Sequence, residues 1–261
     1  MNEQDRSRAL LEKHFDIAFA APDGIKKLRE LILTLAMQGK LVPQDPNDQP
    51  ASELLKDIEA EKRRLVKAGK IRESKPLPDI KPEDVPYELP KSWEWVRLQQ
   101  CYHSLGSKKN QIQTKGYQEL GAFPIIDQGK EFIAGYTDDG DKLLDVTKPV
   151  VVFGDHTKNI KFVDFSFVIG ADGVKILCPY NGIFSKYLYF VIKSFCLFDR
   201  GYARHFKVLN DNLLPLPPLA EQQRIVARID QLMARCEELE KLRAERDQKQ
   251  TALLNALMAM I

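Results

Sequence analysis

Residues 215–226 read PLPPLAEQQRIV and run straight into a charged stretch with a regular apolar seam. Ile225, Ile229, Leu232, Cys236 and Leu239 follow one another at spacings of four, three, four and three. The same register continues through Arg243, Arg246 and Gln250 to Leu253, Leu257 and Met260. That is a heptad a/d pattern with a polar middle, and it predicts a helix that pairs with another helix. Prolines stand just ahead of Glu221, where a helix start tolerates them. At about 1.5 Å per residue the segment spans on the order of 55 Å, a strut suited to holding something at a fixed distance.

Working outward, the 261 residues provide one large domain or two small ones, with ample material for a core. A net charge of +2 argues neither for nor against nucleic acid. No apolar run approaches the roughly 18 to 20 residues that cross a bilayer. The longest candidate, 187–198, is short and carries Lys193. The opening MNEQDRSRALLEKHF is charged throughout and lacks the apolar region of a signal peptide. The expectation is a cytoplasmic protein with no membrane contact. Cys101, Cys178, Cys196 and Cys236 form no C-x-x-C pair, which favours buried free thiols over a disulfide or zinc site.

Four segments emerge from the patterning, and together they predict an α+β fold. Residues 1–69 read as helical. Ile25, Leu28, Ile32 and Leu35 form one stripe, with Gly39 available as a stop. Ser52 is placed to cap a second helix that ends near Gly69, its apolar face made by Leu54, Leu55, Ile58, Leu65 and Val66. Residues 70–91 hold Pro76, Pro78, Pro82, Pro86 and Pro90, a density that favours an extended linker. Residues 92–218 are β-rich, with WEWVRL, FPII, PVVVF, KFVDF and VKIL as short runs and one helix over 185–198. Residues 219–261 are the long spacer helix.

Catalytic signatures are missing from the sequence. It has no phosphate-binding G-x-x-x-x-G-K-[ST] loop, no G-x-G-x-x-G turn and no Asn-Pro-Pro-Tyr. The acidic-x-Lys pairs of a metal nuclease occur at Glu73/Lys75, Asp79/Lys81 and Asp247/Lys249, in the linker and on the long helix rather than on a core strand. Gly154-Asp155-His156 reads as a turn with a side-chain hydrogen bond rather than a catalytic pair.

Positive and amide side chains gather instead in loops. Residues 91–218 carry 16 Lys/Arg against 13 Asp/Glu, unevenly placed. Lys108, Lys109, Asn110, Gln111, Gln113 and Lys115 form one group, and Gln128 and Lys130 follow FPII. His156, Lys158, Asn159 and Lys161 follow PVVVF, and Arg200, Tyr202, Arg204, His205 and Lys207 follow the internal helix. Such side chains on loops above a rigid scaffold suit base-edge readout, Gln or Asn to adenine and Arg or Lys to guanine. Other cations would hold phosphates. The same composition also suits ordinary solvated loops. Gln128, Lys130, His156, Lys158, Arg204, His205 and Lys207 are expected on one face.

Three landmarks resemble the specificity subunits of type I restriction–modification systems, the HsdS family. LILTLAMQGKLVPQDPNDQPASELL is similar to the opening of such subunits, ELPKSWEWVRL to the start of a target recognition domain, and LNDNLLPLPPLAEQQRIVARIDQL to its exit into a central helix. Between them, FPIIDQGKEFIAGYTDD and PVVVFGDHTKNIKFVDFSFVIGADGVKIL resemble one recurrent class of recognition domain. The resemblance implies a non-catalytic reader of one half of a split double-stranded DNA target, with helices that act as ruler and as docking surface for methyltransferase subunits. S-adenosylmethionine and ATP are then expected on partner subunits only, the ATP on a restriction/translocase subunit. Family members usually carry two recognition domains and this chain shows one. It is read either as part of a longer subunit, the preferred expectation, or as a half-subunit that forms a homodimer through the long helix and reads a palindromic split target.

The N-terminal stripe is only about three turns and cannot cover a helix more than twice as long, so the distal seam calls for a partner. A coiled-coil adaptor whose middle domain binds protein is the alternative function. A stand-alone nuclease lacks motif support.

Overall fold

The computed structural model describes residues 21, 23–73, 76–195 and 204–259. Arg200, Tyr202, Cys196, Met260 and the end of the helix expected over 185–198 lie outside them. Two helices open the fold, α1 (Gly24–Met37) and α2 (Ala51–Lys67). Both end on a left-handed glycine. Gly39 (φ 67°) and Gly69 (φ 66°) let Lys40 N reach Leu35 O and Lys70 N reach Leu65 O. The expected cap at Ser52 does not form. Pro50 precedes the first helical residue, and Ala51 N donates to Ser92 O at 2.9 Å, so tertiary structure replaces the side-chain cap.

The linker is strapped to the elements on either side of it. Arg97 donates to the carbonyls of Pro78 (2.7 Å) and Asp79 (3.2 Å), Tyr87 Oη to Met37 O, and Trp95 Nε1 to Tyr87 O. A 3-10 turn at Pro82–Asp84 interrupts its extended path.

Strands β1 (Glu94–Arg97), β2 (Tyr102–Ser104), β3 (Gln111–Ile112), β4 (Phe123–Ile126), β5 (Gly135–Thr137), β6 (Val150–Gly154), β7 (Ile160–Val163), β8 (Val168–Gly170) and β9 (Val174–Pro179) come next. Helices α3 (Ser185–Ser194) and α4 (Phe206–Asn210), strand β10 (Leu213–Leu216) and the long helix α5 (Leu219–Met258) complete the chain. β1 and β10 pair antiparallel, Glu94 opposite Leu216 and Arg97 opposite Leu213, so the two ends of the β-rich segment are tied together. Pro215 is tolerated in this two-stranded ribbon because each strand has a free edge.

Two four-stranded sheets, β2-β9-β6-β7 and β3-β8-β4-β5, make the body. Alternate residues of the first sheet serve two cores. Val151, Phe153 and Leu177 join the core shared with all four major helices, whereas Val150, Val152, Ile176 and Cys178 meet Ile126 and Ile169 of the second sheet and Phe167 just ahead of β8. A strand covered on both faces needs no polar alternation, which is why PVVVF is apolar throughout. Each such side chain contributes roughly 1.5–3 kcal/mol by burial. Cys101, Cys178 and Cys236 are buried free thiols.

α1 runs antiparallel to α5. Its Arg29 pairs with Glu240, and Arg243 donates to Ala21 O at 2.7 Å, while Asp48, beyond its other end, pairs with Arg224. Ile225, Ile229 and Cys236 are thereby buried, with Leu232 and Leu239 packed beside them. From residue 244 to 259 every position is exposed, including Leu253 at 62% and Leu257 at 52%. Among the described residues no helix is long and apolar enough to cross a membrane.

Candidate nucleic-acid interface

In the second sheet β3, β8 and β4 are mutually parallel, so their C-terminal ends lie together. Ala171 N donates to Ile112 O (2.9 Å), bringing the turn after β3, which carries Lys115, beside the turn between β8 and β9. The loop after β4, residues 127–131, emerges at the same end.

The β6–β7 hairpin delivers its turn to that loop. Gly154 N donates to Asn159 O and Lys158 N to Gly154 O, closing a four-residue turn whose last member, Lys158, takes the left-handed conformation (φ 61°). Gln128 O then accepts from Thr157 Oγ1 (2.6 Å) and Asn159 Nδ2 (2.9 Å), and Gln128 Oε1 from His156 N (3.2 Å). Gly173 closes the third side. Its φ is +78°, and an added Cβ would sit 2.8 Å from His156 Cδ2 and 2.9 Å from Gln128 Oε1, so a side chain fails there on conformation and on space. Gly173 O also accepts from Asp155 N at 2.7 Å.

Asp155 brings in the fourth segment. It is buried, and its Oδ1 accepts from Phe206 N (2.8 Å) while its carbonyl accepts from His205 N (2.8 Å). Lys175 Nζ stands 3.9 Å from its carboxylate and 5.5 Å from the Phe206 ring centre. Gly154-Asp155-His156 is therefore a turn with a side-chain hydrogen bond. Residues 127–131, 155–159, 171–173 and 204–207 form one hydrogen-bonded surface, with Lys130, Arg204 and Lys207 exposed and Gln128, His156 and Lys158 half-buried.

Four expected residues fall elsewhere. Lys108 and Lys109 form a 3-10 turn ahead of β3, and Asn110 beside them donates to the carbonyls of Lys142 (3.3 Å) and Leu143 (3.2 Å). They thus lie at the other end of the second sheet, beside the acidic 138–141 stretch. His205 is 1% exposed, with Nδ1 3.1 Å from the Asp155 carbonyl, so it props α4 from inside rather than facing solvent. Gln111 is half-buried within β3, opposite Ile169.

Lys161, grouped by sequence with the basic turn, is also inside, 6% exposed, since it belongs to β7 rather than the turn. Burial pushes its ammonium pKa below the ordinary lysine value, and Asp127, 3.5 Å away, pulls it back up. Sequence reasoning passes over Asp127 and Thr157, although an Asp directly after an apolar strand is a recognisable sign of a side-chain-to-backbone turn. Among the described residues no cluster of His, Cys, Asp and Glu could hold a metal ion.

The family described as "Type I restriction modification DNA specificity domain" matches residues 90–246, from the approach to β1 to the middle of α5. The EcoAI specificity subunit of Escherichia coli is 38% identical over 250 residues, covering 84% of this chain and 41% of that protein. The EcoEI specificity subunit of the same organism is 37% identical over 244 residues, with the same shares covered. The chain thus spans about two-fifths of the length of the curated relatives it matches, 41% in both cases. A chain from a structure described as showing complex assembly and conformational transition of the type I R-M system covers 97% of this chain and 58% of its own length, with a TM-score of 0.52 at 19% identity, a likeness of fold. A β-rich domain closed by β1 and β10, a long helix leaving it and a match that runs through both place the chain in the family of type I restriction–modification DNA specificity domains.

Proposed function

We propose that this chain is a DNA-reading portion of a type I restriction–modification specificity subunit, taking one half of a bipartite double-stranded target. The observation that carries the reading is the convergence of four loops at one end of the β domain, cross-tied by hydrogen bonds and edged by Lys130, Lys158, Arg204 and Lys207, with Lys115 on the adjoining turn. Rigid loops bearing amide and cationic side chains meet the needs of base-edge contact and phosphate anchoring together. Lys108 and Lys109, at the other end of the sheet, are left out of this interface.

In this reading the chain reads but does not catalyse. S-adenosylmethionine and ATP bind to methyltransferase and restriction/translocase partners rather than here. The helices dock the methyltransferase, and the exposed seam at Leu253 and Leu257 pairs with a second helix, in a second copy or in the same subunit. The complex works in the cytoplasm, where its DNA is.

Salt separates this reading from a protein-binding adaptor. With about five phosphate contacts, duplex affinity should fall on the order of 10²- to 10³-fold between roughly 50 and 200 mM salt. An affinity for duplex DNA that is absent or indifferent to salt would return the adaptor reading.

A further inference from the structure

Lys161 is a buried cation, with only 6% of its surface exposed. Its Nζ donates to Glu131 O at 2.5 Å and lies 3.5 Å from Asp127 Oδ1. The same Asp127 oxygen accepts from Gly129 N at 2.7 Å, folding the loop into a tight turn at its start. One ammonium therefore holds the first and last residues of the 127–131 loop, and with them the chord across which Gln128, Gly129 and Lys130 are displayed. Lys161 belongs to the hairpin that also grips the middle of the loop, through Thr157 and Asn159 on Gln128 O and His156 N on Gln128 Oε1. The loop is thus held at its start, middle and end by a single β6–β7 unit.

Stability alone does not call for a lysine there. Desolvating an ammonium costs several kcal/mol, and replacing a buried ion pair by well-packed apolar side chains is often neutral or stabilising. What an apolar residue would fail to do is fix the loop's backbone from both ends. Base-edge contacts tolerate displacements of only about 0.5 Å before their geometry degrades.

We propose that Lys161 is a positioning residue for sequence readout, setting the 127–131 loop against the DNA without touching it. The inference rests on the DNA-reading function above and adds to it a specificity-determining residue. Loss of Lys161 then blurs which bases are preferred while leaving contact with phosphates in place.

The test selects duplexes from a randomised pool with the purified chain and sequences the bound fraction. Three proteins are compared: wild type, Lys161→Met, which keeps the length and removes both bonds, and Asp127→Asn, which keeps an acceptor for Gly129 N and removes the charge. Each is checked by thermal melting. The wild type should enrich a motif. Folded Lys161→Met should still retain the pool at low salt, with discrimination at a contiguous part of the motif reduced about tenfold, the scale of one lost base contact. Asp127→Asn should lose part of the same discrimination at the same positions. A uniform loss of bound DNA with the motif unchanged would be a merely structural effect and would overturn the proposal, as would full wild-type discrimination by both variants. If Lys161→Met does not fold, Asp127→Asn decides on the same criterion. A wild type that binds duplexes but enriches no motif removes the DNA-reading function itself, and this inference with it.

Discussion

The indole Nε1 of Trp93 donates to Glu221 Oε2 at 2.9 Å across 128 residues of sequence. Glu221 Oε1 accepts from Gln44 Nε2 at 2.5 Å, and the glutamate is fully buried. Three parts of the chain meet at one carboxylate: the segment after α1, the residue before β1 and the first turn of α5. Gln222 continues the junction. Its Oε1 accepts from Phe184 N (2.7 Å), and its Nε2 donates to Gly182 O (2.9 Å) and Pro217 O (3.0 Å). The Glu-Gln pair after the prolines is thus the joint between reader and strut. Trp93→Phe should lower unfolding free energy by about 1–3 kcal/mol, the cost of a buried acceptor deprived of one donor, with the apolar packing kept. Urea denaturation measures it, and a change within about 0.5 kcal/mol, typical of a surface substitution, would assign the joint no energetic weight.

The same carboxyl predicts a pH signature. Burial raises the Glu221 pKa above its ordinary 4.5, against the opposing pull of the Trp93 and Gln44 hydrogen bonds. A raised folded-state value means that the folded chain binds more protons than the unfolded one across that window. The stability so contributed is full below 4.5 and is lost as pH rises through the folded value. The stability of wild type minus that of Glu221→Gln should therefore fall as pH goes from about 4 to 7. A difference that stays flat or grows across the range would contradict the assignment.

The long helix divides at Arg243. Ile229→Ala, in the half covered by α1, should cost about 2–5 kcal/mol. Leu253→Ala and Leu257→Ala, in the exposed half, should each change the stability of the isolated chain by no more than about 0.5 kcal/mol. Leu253→Asp with Leu257→Asp should instead weaken helix pairing, read by sedimentation of the chain alone and with the proposed methyltransferase partner. Unchanged association in both settings would show that the distal seam pairs with neither.

Much of this division is legible in the sequence. Heptad spacing marks Ile225, Ile229 and Cys236 whether or not a partner is present, and the shortness of the Ile25–Leu35 stripe sets where cover ends. The stronger strands, such as PVVVF and VKIL, stand out because burial on two faces leaves an unbroken apolar run. Strands β3 (Gln111–Ile112), β5 (Gly135–Thr137) and β8 (Val168–Gly170) are not legible, since two or three residues carry no periodicity. The interface is legible in composition but not in depth. Arg204 and His205 are neighbours in sequence, yet one is exposed and the other is 1% exposed, because Asp155 takes hold of the backbone beside them from a segment some 50 residues away. Charge alone likewise does not tell Lys158, at the turn, from Lys161, three residues on and inside.

The two ends of the second sheet should behave differently toward DNA. Lys130→Ala and Arg204→Ala should each weaken duplex binding. At a base contact the cost is about 1–3 kcal/mol with relaxed preference at that position, and at a phosphate contact the salt slope drops by about one. Lys108→Ala with Lys109→Ala should leave both affinity and slope close to wild type. Fluorescence anisotropy over a salt series checks all three, and a larger loss from the Lys108/Lys109 pair would move the interface to the other end of the domain.

The central claim is that this chain chooses the DNA sequence on which a methyltransferase acts. Co-expression with the proposed methyltransferase partner, followed by sequencing of host DNA for modified adenine, tests it most directly. The account predicts methylation confined to one interrupted motif, with preference relaxed or lost in Arg204→Ala or Lys130→Ala. Assembly of the complex with no methylated motif, or with modification spread without sequence preference, would contradict it.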